Sequence, residues 1–288
     1  MYKRRIGAGG AVAALALGIA ACGGGGGGGS YSTVVDKVTG ASAIVVGTKW
    51  DQPSLGLKTG ADPVGYDVDM AKAIVKELAG GKDVKITWKE APSKNREALL
   101  QNGTVDIIFA TYSITEERKG KVTFGGPYIV AHQDTMVRAD DTALAKATDL
   151  KDKRICQAAG SNSYKRITDP PPDGKLGLPA KLVGASNYSE CVQKLSGSNL
   201  DAVTTDDLIL AGFAKQAGGN FKILGDPFTD EKYGIGLKKG DTKTCEAVNK
   251  AVAALYQKGE AQKIWTTWFG DAKGLTAPTA APPVEGCA

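Results

Sequence analysis

The chain has 288 residues, with 36 Lys and Arg against 31 Asp and Glu, one His and five Cys. Charges of both signs are scattered and no basic patch carries interleaved aromatics, which argues against a nucleic-acid partner. One histidine and no CxxC spacing argue against a zinc site, no cofactor is expected, and the length suffices for one large or two medium lobes.

The N-terminus reads as an address. Lys3, Arg4 and Arg5 precede an apolar run from Ile6 to Ala21, shorter than the roughly 20 residues of a membrane span and suited to a signal segment. Small residues lead into Cys22, a pattern that resembles the bacterial lipobox, so residues 1–21 are expected to be removed and Cys22 lipidated at the outer face of the cytoplasmic membrane. Ordinary signal cleavage beside an incidental cysteine is the alternative. Gly23 to Gly29 form an unbroken glycine run, a composition that makes a flexible tether, and residues 22–40 are assigned to it. Without the signal the net charge falls to +2, 33 basic residues against 31 acidic. No second stretch is long and apolar enough to span a bilayer.

From there strand and helix patterns alternate, as in α/β proteins. Residues 42–48 read as a buried strand. Met70, Ile74 and Leu78, four apart, make 66–78 a helix with one apolar face. A strand at 84–88 and a short helix at 95–101, stopped by Asn102-Gly103, follow. Residues 105–110, apolar but for Asp106, read as a third strand, as in a covered parallel sheet. A second series comprises strands at 154–158, 180–184 and 200–204 and helices at 161–167, 188–195 and 208–215. Residues 234–237 read as a returning strand and 245–258 as an amphipathic helix, before an aromatic-rich turn at 264–269.

Cys156, Cys191, Cys245 and Cys287 remain after Cys22, an even number that suggests two disulfides in an exported chain. Of three possible pairings, Cys156–Cys191 within one lobe and Cys245–Cys287 tying down the tail are favoured, with free buried cysteines as the alternative.

Several segments carry a resemblance: Gly65-Tyr-Asp-Val-Asp-Met70, Leu99 to Ile107, Ser113-Ile-Thr-Glu-Glu-Arg118, Gly160-Ser161, Leu200-Asp-Ala-Val203 with Asp206, and Tyr233-Gly-Ile-Gly-Leu237. Together and in this order they resemble the bacterial extracellular solute-binding proteins of family 3, which bind polar amino acids. Lys49 to Leu57 looks most like the glutamate-binding branch. The resemblance implies a two-lobed periplasmic-binding-protein-like fold (type II), each lobe a mainly parallel sheet with helices on both faces, joined by two hinge crossings. Lobe 1 takes residues 41–135 plus 233–270, lobe 2 takes 136–232, and 271–288 form a Pro/Ala tail. The expected protein is a monomer that hands its ligand to ABC transporter permease subunits.

A free amino acid brings an α-carboxylate and an α-ammonium, and burying both requires a fixed cation, a fixed anion and neutral donors. Arg118 supplies the cation, its planar fork suited to a carboxylate, and the resemblance assigns it the α-carboxylate. Thr111 and Ser113 alternate along an extended run and can face the same ligand. Thr115 reads as a helix N-cap, a ligand contact, or both. On the second lobe Ser161 opens a helix and closes on the same carboxylate. By resemblance Asp206 takes the α-ammonium, and Asp207 caps the next helix.

Arg96 falls where acidic-amino-acid binders of this family hold the distal carboxylate, with Ser93 three residues earlier and Lys49 a second cation. A solvated arginine and a rim lysine are the bland readings of these two. An uncharged ligand side chain would leave the cations unpaired, hence glutamate or another acidic amino acid is expected over glutamine or asparagine. Trp50 walls the pocket or simply packs. His132 lacks a catalytic or metal-ligating constellation and reads as structural or hinge-side. The rivals are a sensor-kinase partner binding the same ligand, and a dehydratase on the same scaffold.

Overall fold

A computed structural model describes residues 31–172 and 174–287. The signal segment, the expected lipidation site Cys22 and the glycine run lie outside the described residues.

The first element corrects the sequence reading. Residues up to 40 were assigned to a tether, yet α1 (Val34–Ala41) is a helix capped by the Thr33 side chain. Its first amides are held by the fold: Val34 N donates to Asp241 and Val35 N to the Thr244 hydroxyl. Val34 and Val38, four apart on one face, are buried. Lys37 pairs with Asp106 at 2.7 Å.

In chain order follow β1 (Ala43–Thr48), β2 (Asp51–Gln52), β3 (Gly56–Leu57), α2 (Tyr66–Leu78), β4 (Lys85–Glu90), α3 (Arg96–Gln101), β5 (Ile107–Ile108), α4 (Glu116–Lys119) and the 16-residue β6 (Thr123–Arg138). Then come β7 (Arg154–Ala158), α5 (Ser163–Thr168), β8 (Lys181–Ala185), α6 (Tyr188–Ser196), β9 (Val203–Asp206), α7 (Asp207–Gln216), β10 (Phe221–Ile223), β11 (Thr229–Leu237), α8 (Thr242–Gln257) and α9 (Glu260–Phe269). Only Ile107 and Ile108 of the 105–110 run pair as a strand. The expected aromatic turn at 264–269 is the second half of a full helix, α9.

The fold is α/β and two-lobed. In the first lobe β1 lies between β4 and β5, all parallel. In the second, β7 and β8 are parallel, with a parallel bridge from Ile155 to Ala202. The two crossings make the sheets mixed. Strands β6 and β11 pair antiparallel from Thr123 opposite Leu237 to Gln133 opposite Thr229, with a shift between Tyr233 and Ile235. The start of β6 therefore sits in the first lobe, while its end carries β9 and β10 in the second. Sixteen residues suffice to run through both lobes.

Helix α2 is seated by its apolar face and by the glycine at its start. Met70, Ala71, Ile74, Val75 and Leu78 are buried on its apolar face, and Gly65 at its start has φ 140°, with the Leu55 carbonyl oxygen 2.1 Å from where a Cβ would stand. Only glycine lets the hairpin β2–β3 lie this close. Disulfides join Cys156 to Cys191 and Cys245 to Cys287, the favoured pairing. The tail packs through Leu275, Ala277 and Ala281 on the core. Among the described residues, no helix is long and apolar enough to cross a membrane.

Candidate functional site

The site is built where the loops after β1 and β5 and the starts of α2, α3 and α4 meet β9 and α5 of the second lobe. Arg118, in the one-turn helix α4, is 7% exposed and donates through Nη1 to the Ser113 carbonyl at 2.8 Å and through Nη2 to the Gly160 carbonyl at 3.2 Å. The Thr115 hydroxyl accepts from the Arg118 amide, so Thr115 is the N-cap, and it also lines the cleft mouth. That mouth is a cavity of about 310 Å³ whose walls include Ser93, Glu97, Arg118, Gly160, Ser161 and Lys165.

Arg96 is wholly buried, its guanidinium 4.0 Å over the Tyr112 ring, with Arg118 5.2 Å from the same ring. Its Nη1 donates to the carbonyls of Ala110 and Thr111, and its Nε has no partner among the described residues. The surface-arginine alternative fails on this burial. Burial and the neighbouring Arg118 charge push Arg96 down to about 10. Lys49 is also buried, its Nζ donating to Ser93 Oγ at 2.6 Å. Burial first, then the Arg96 charge, pushes its ammonium down to about 7.

Thr111 departs from the expected alternation. Its φ is +45°, in the left-handed region, so it does not continue an extended run into Ser113. Asp67 holds it there: Oδ2 accepts the Thr111 amide at 2.9 Å, while Oδ1 accepts the Tyr128 hydroxyl at 2.7 Å. The Thr111 hydroxyl turns to Gln52 Oε1 at 3.1 Å. Ser113 is buried and bridges to Tyr233 of β11.

On the second lobe Asp206 ends β9, is 4% exposed and accepts from the Tyr233 hydroxyl at 2.7 Å. Burial, then the charge of Glu231, raises it well above the usual carboxylate range. Such a carboxyl gains from a cation delivered beside it. Ser161 Oγ lies 2.6 Å from the Tyr188 hydroxyl and accepts the Ser163 amide, so it precedes α5. Asp207 accepts from the Leu208 and His132 amides, and His132 Nδ1 stands 3.3 Å from Asp207 on the hinge strand.

Sequence reasoning gave no role to Asp67, Gln52, Tyr112, Tyr188 or Tyr233. Asp67 had a signal: it falls four residues before Ala71 on the apolar stripe of α2, where a carboxylate has no reason to stand unless it is held. The tyrosines had none, because their hydroxyls meet distant partners. A larger groove of about 680 Å³ runs between Ile129, Leu208, Trp265 and the tail; no Arg or Lys lines it, and its His132 is already paired with Asp207.

Known proteins share this arrangement of elements. The model of the family described as bacterial extracellular solute-binding proteins, family 3, matches residues 44–271. The glutamate-binding protein GluB of Corynebacterium glutamicum is 40% identical, over 91% of this chain and 89% of its own. The ABC transporter glutamine-binding protein GlnH of Bacillus subtilis is 35% identical, over 78% and 81%. Among solved structures, an ancestral arginine-binding protein bound to glutamine is 33% identical with a TM-score of 0.71, covering 80% of this chain and 99% of its own.

Proposed function

The chain belongs to the bacterial extracellular solute-binding proteins of family 3, and from that premise we propose that it captures glutamate or aspartate between its lobes for an ABC importer. The observation that carries the ligand class is the charge inventory of the cleft. Among its buried groups three cations, Lys49, Arg96 and Arg118, stand against two carboxylates, Asp67 and Asp206, once Glu231 is set against its partner Arg166; the half-buried Glu97 at the mouth lies 3.9 Å from Arg118. An acidic amino acid brings two carboxylates and one ammonium, and so meets this excess of positive charge. The name of the C. glutamicum relative supports the same ligand.

In this reading the α-carboxylate lies on Arg118 with Thr111, Ser113 and Ser161, and the α-ammonium on Asp206. The side-chain carboxylate lies toward Lys49, Ser93 and the unpartnered Nε of Arg96. The ligand docks on the first lobe, residues 41–135 plus 233–270. The second, 136–232, then closes by bending within β6 and β11, a motion of the hinge kind. The protein acts as a monomer and catalyses nothing, in keeping with the binding-protein names of its relatives. Cys22 is the lipid anchor. A Cys22→Ser chain shed into the medium supports this, and one retained on the membrane refutes it.

An amide ligand is the second reading, favoured by one observation: a lysine held near 7 is partly neutral at physiological pH, which makes an uncharged side chain tolerable. Calorimetry of the mature chain with glutamate, aspartate, glutamine and asparagine separates the two. Tighter binding of the acids supports the proposal, and tighter binding of the amides replaces it.

A further inference from the structure

Gly212 lies in α7, six residues beyond Asp206, and is buried against the hairpin β2–β3 of the opposite lobe. A Cβ at this position would stand 2.0 Å from the Pro53 carbonyl oxygen and 2.8 Å from its carbon. Non-bonded heavy atoms settle at about 3.5 Å, and both partners here are backbone, so no rotamer change relieves the overlap. A side chain at 212 must lift α7 off the hairpin by more than about 1 Å.

The hairpin and the helix both adjoin residues already placed at the ligand site. Gln52 lies immediately before Pro53 and takes the Thr111 hydroxyl, and Lys49 leads into the hairpin four residues before Pro53. Helix α7 begins directly after Asp206. A second helix of the same lobe, α6, seats on the same hairpin, where Ser189 Oγ donates to the Asp51 carbonyl at 2.8 Å. The Gly212 contact thus fixes how deeply the lobe bearing Asp206 sits on the lobe bearing Lys49.

We propose that Gly212 is the positioning residue of lobe closure: the bare backbone at 212 seats α7 on Pro53 and brings Asp206 within reach of a ligand docked on Arg118. The inference rests on the closure reading above and adds the residue that sets its depth. Gly160 makes a similarly close approach, its missing Cβ 2.4 Å from the Lys94 Cα. Its φ of +76° would strain any substitution, which makes Gly212 the cleaner test.

The two possible roles of Gly212 predict opposite effects of Gly212→Ala on the ligand-free protein. Alanine raises helix propensity inside α7, so if Gly212 acts only in closure, the ligand-free melting temperature is unchanged or raised. Glutamate affinity then falls at least tenfold, and the ligand-induced decrease in radius of gyration, read by small-angle X-ray scattering, is lost. Ser189→Ala, which adds no bulk, should cost only a few-fold in affinity and keep the contraction. The inference is overturned if Gly212→Ala binds and contracts like wild type, or if its affinity loss comes with a lowered ligand-free melting temperature. If the wild type contracts with none of the twenty amino acids, the functional reading fails and takes this inference with it.

Discussion

Arg118 Nη2 donates to the Gly160 carbonyl oxygen at 3.2 Å, joining a cation of the first lobe to the backbone that precedes α5 in the second. The same guanidinium holds the Ser113 carbonyl, so one side chain organises the loop after β5 and meets the opposite lobe. Arg118→Ala removes the charge and both bonds. Loss of one partner of a desolvated charge pair costs about 2–5 kcal/mol, or roughly 30- to 5000-fold in affinity. Arg118→Lys keeps the charge without the fork and should recover only part of it. Unchanged calorimetric affinity for glutamate in Arg118→Ala would sink the α-carboxylate assignment.

With Lys49 in the side-chain pocket as proposed, ligand choice should depend on pH. Its folded value is lowered from 10.5 to about 7, so the ammonium is fully present below about 7 and lost above it unless a bound carboxylate restores it. Glutamate offers that carboxylate and glutamine does not. The ratio of glutamate to glutamine affinity should therefore fall as pH rises from 6 to 9, by about tenfold or more, since each pKa unit of differential interaction is worth about 1.4 kcal/mol. Lys49→Met should flatten the profile. A wild-type ratio constant across this range would remove Lys49 from the side-chain pocket.

Most of the architecture was legible because it is written in local periodicity. Helix α2 matches its four-residue spacing end to end, and β7 falls on the strand expected at 154–158. Legibility failed where partners lie far apart in sequence. The Val34 and Val38 pair of α1 stood beside a glycine run and was read as tether, although Thr33 was a visible N-cap. Strand β6 was missed because burial along nearly its whole length erases the alternation that marks a strand. In the site, charged residues could be nominated by type. That Arg96 stacks on Tyr112, or that Asp67 fixes the positive φ of Thr111, depends on contacts that no spacing encodes.

Asp67 should leave a signature in the pH dependence of stability. Burial raises its carboxyl from 3.8 to about 6, against the opposing bonds from Tyr128 and Thr111. A carboxyl raised in the folded state contributes stability that is full below 3.8 and lost as pH rises through about 6. Asp67→Asn keeps an acceptor for the Thr111 amide and abolishes the titration. Wild-type stability relative to this variant should therefore decline by about 3 kcal/mol between pH 3.5 and 6.5. Urea unfolding at the two pH values measures it, and a difference that does not change with pH contradicts the assignment.

The C-terminal tail is a structural member despite its Pro- and Ala-rich composition. Cys287 is bonded to Cys245 of α8, closing a loop with a sequence separation of 42. Glu285 pairs with Lys119 at 3.0 Å and with Lys232, and its amide donates to the Gly126 carbonyl. Lys232 is exposed and Lys119 half-buried, both still in reach of solvent, so these ion pairs are worth about 1 kcal/mol each at most. The cross-link restricts the unfolded chain and should dominate. Replacing Cys245 and Cys287 together by serine should cost about 2–5 kcal/mol, whereas Glu285→Gln should cost about 1 kcal/mol or less. Chemical unfolding of the two variants beside wild type gives the comparison. Equal losses would mean that the tail is held by its ion pairs, and no loss in the double serine variant would mean that its packing through Leu275, Ala277 and Ala281 suffices without the bond.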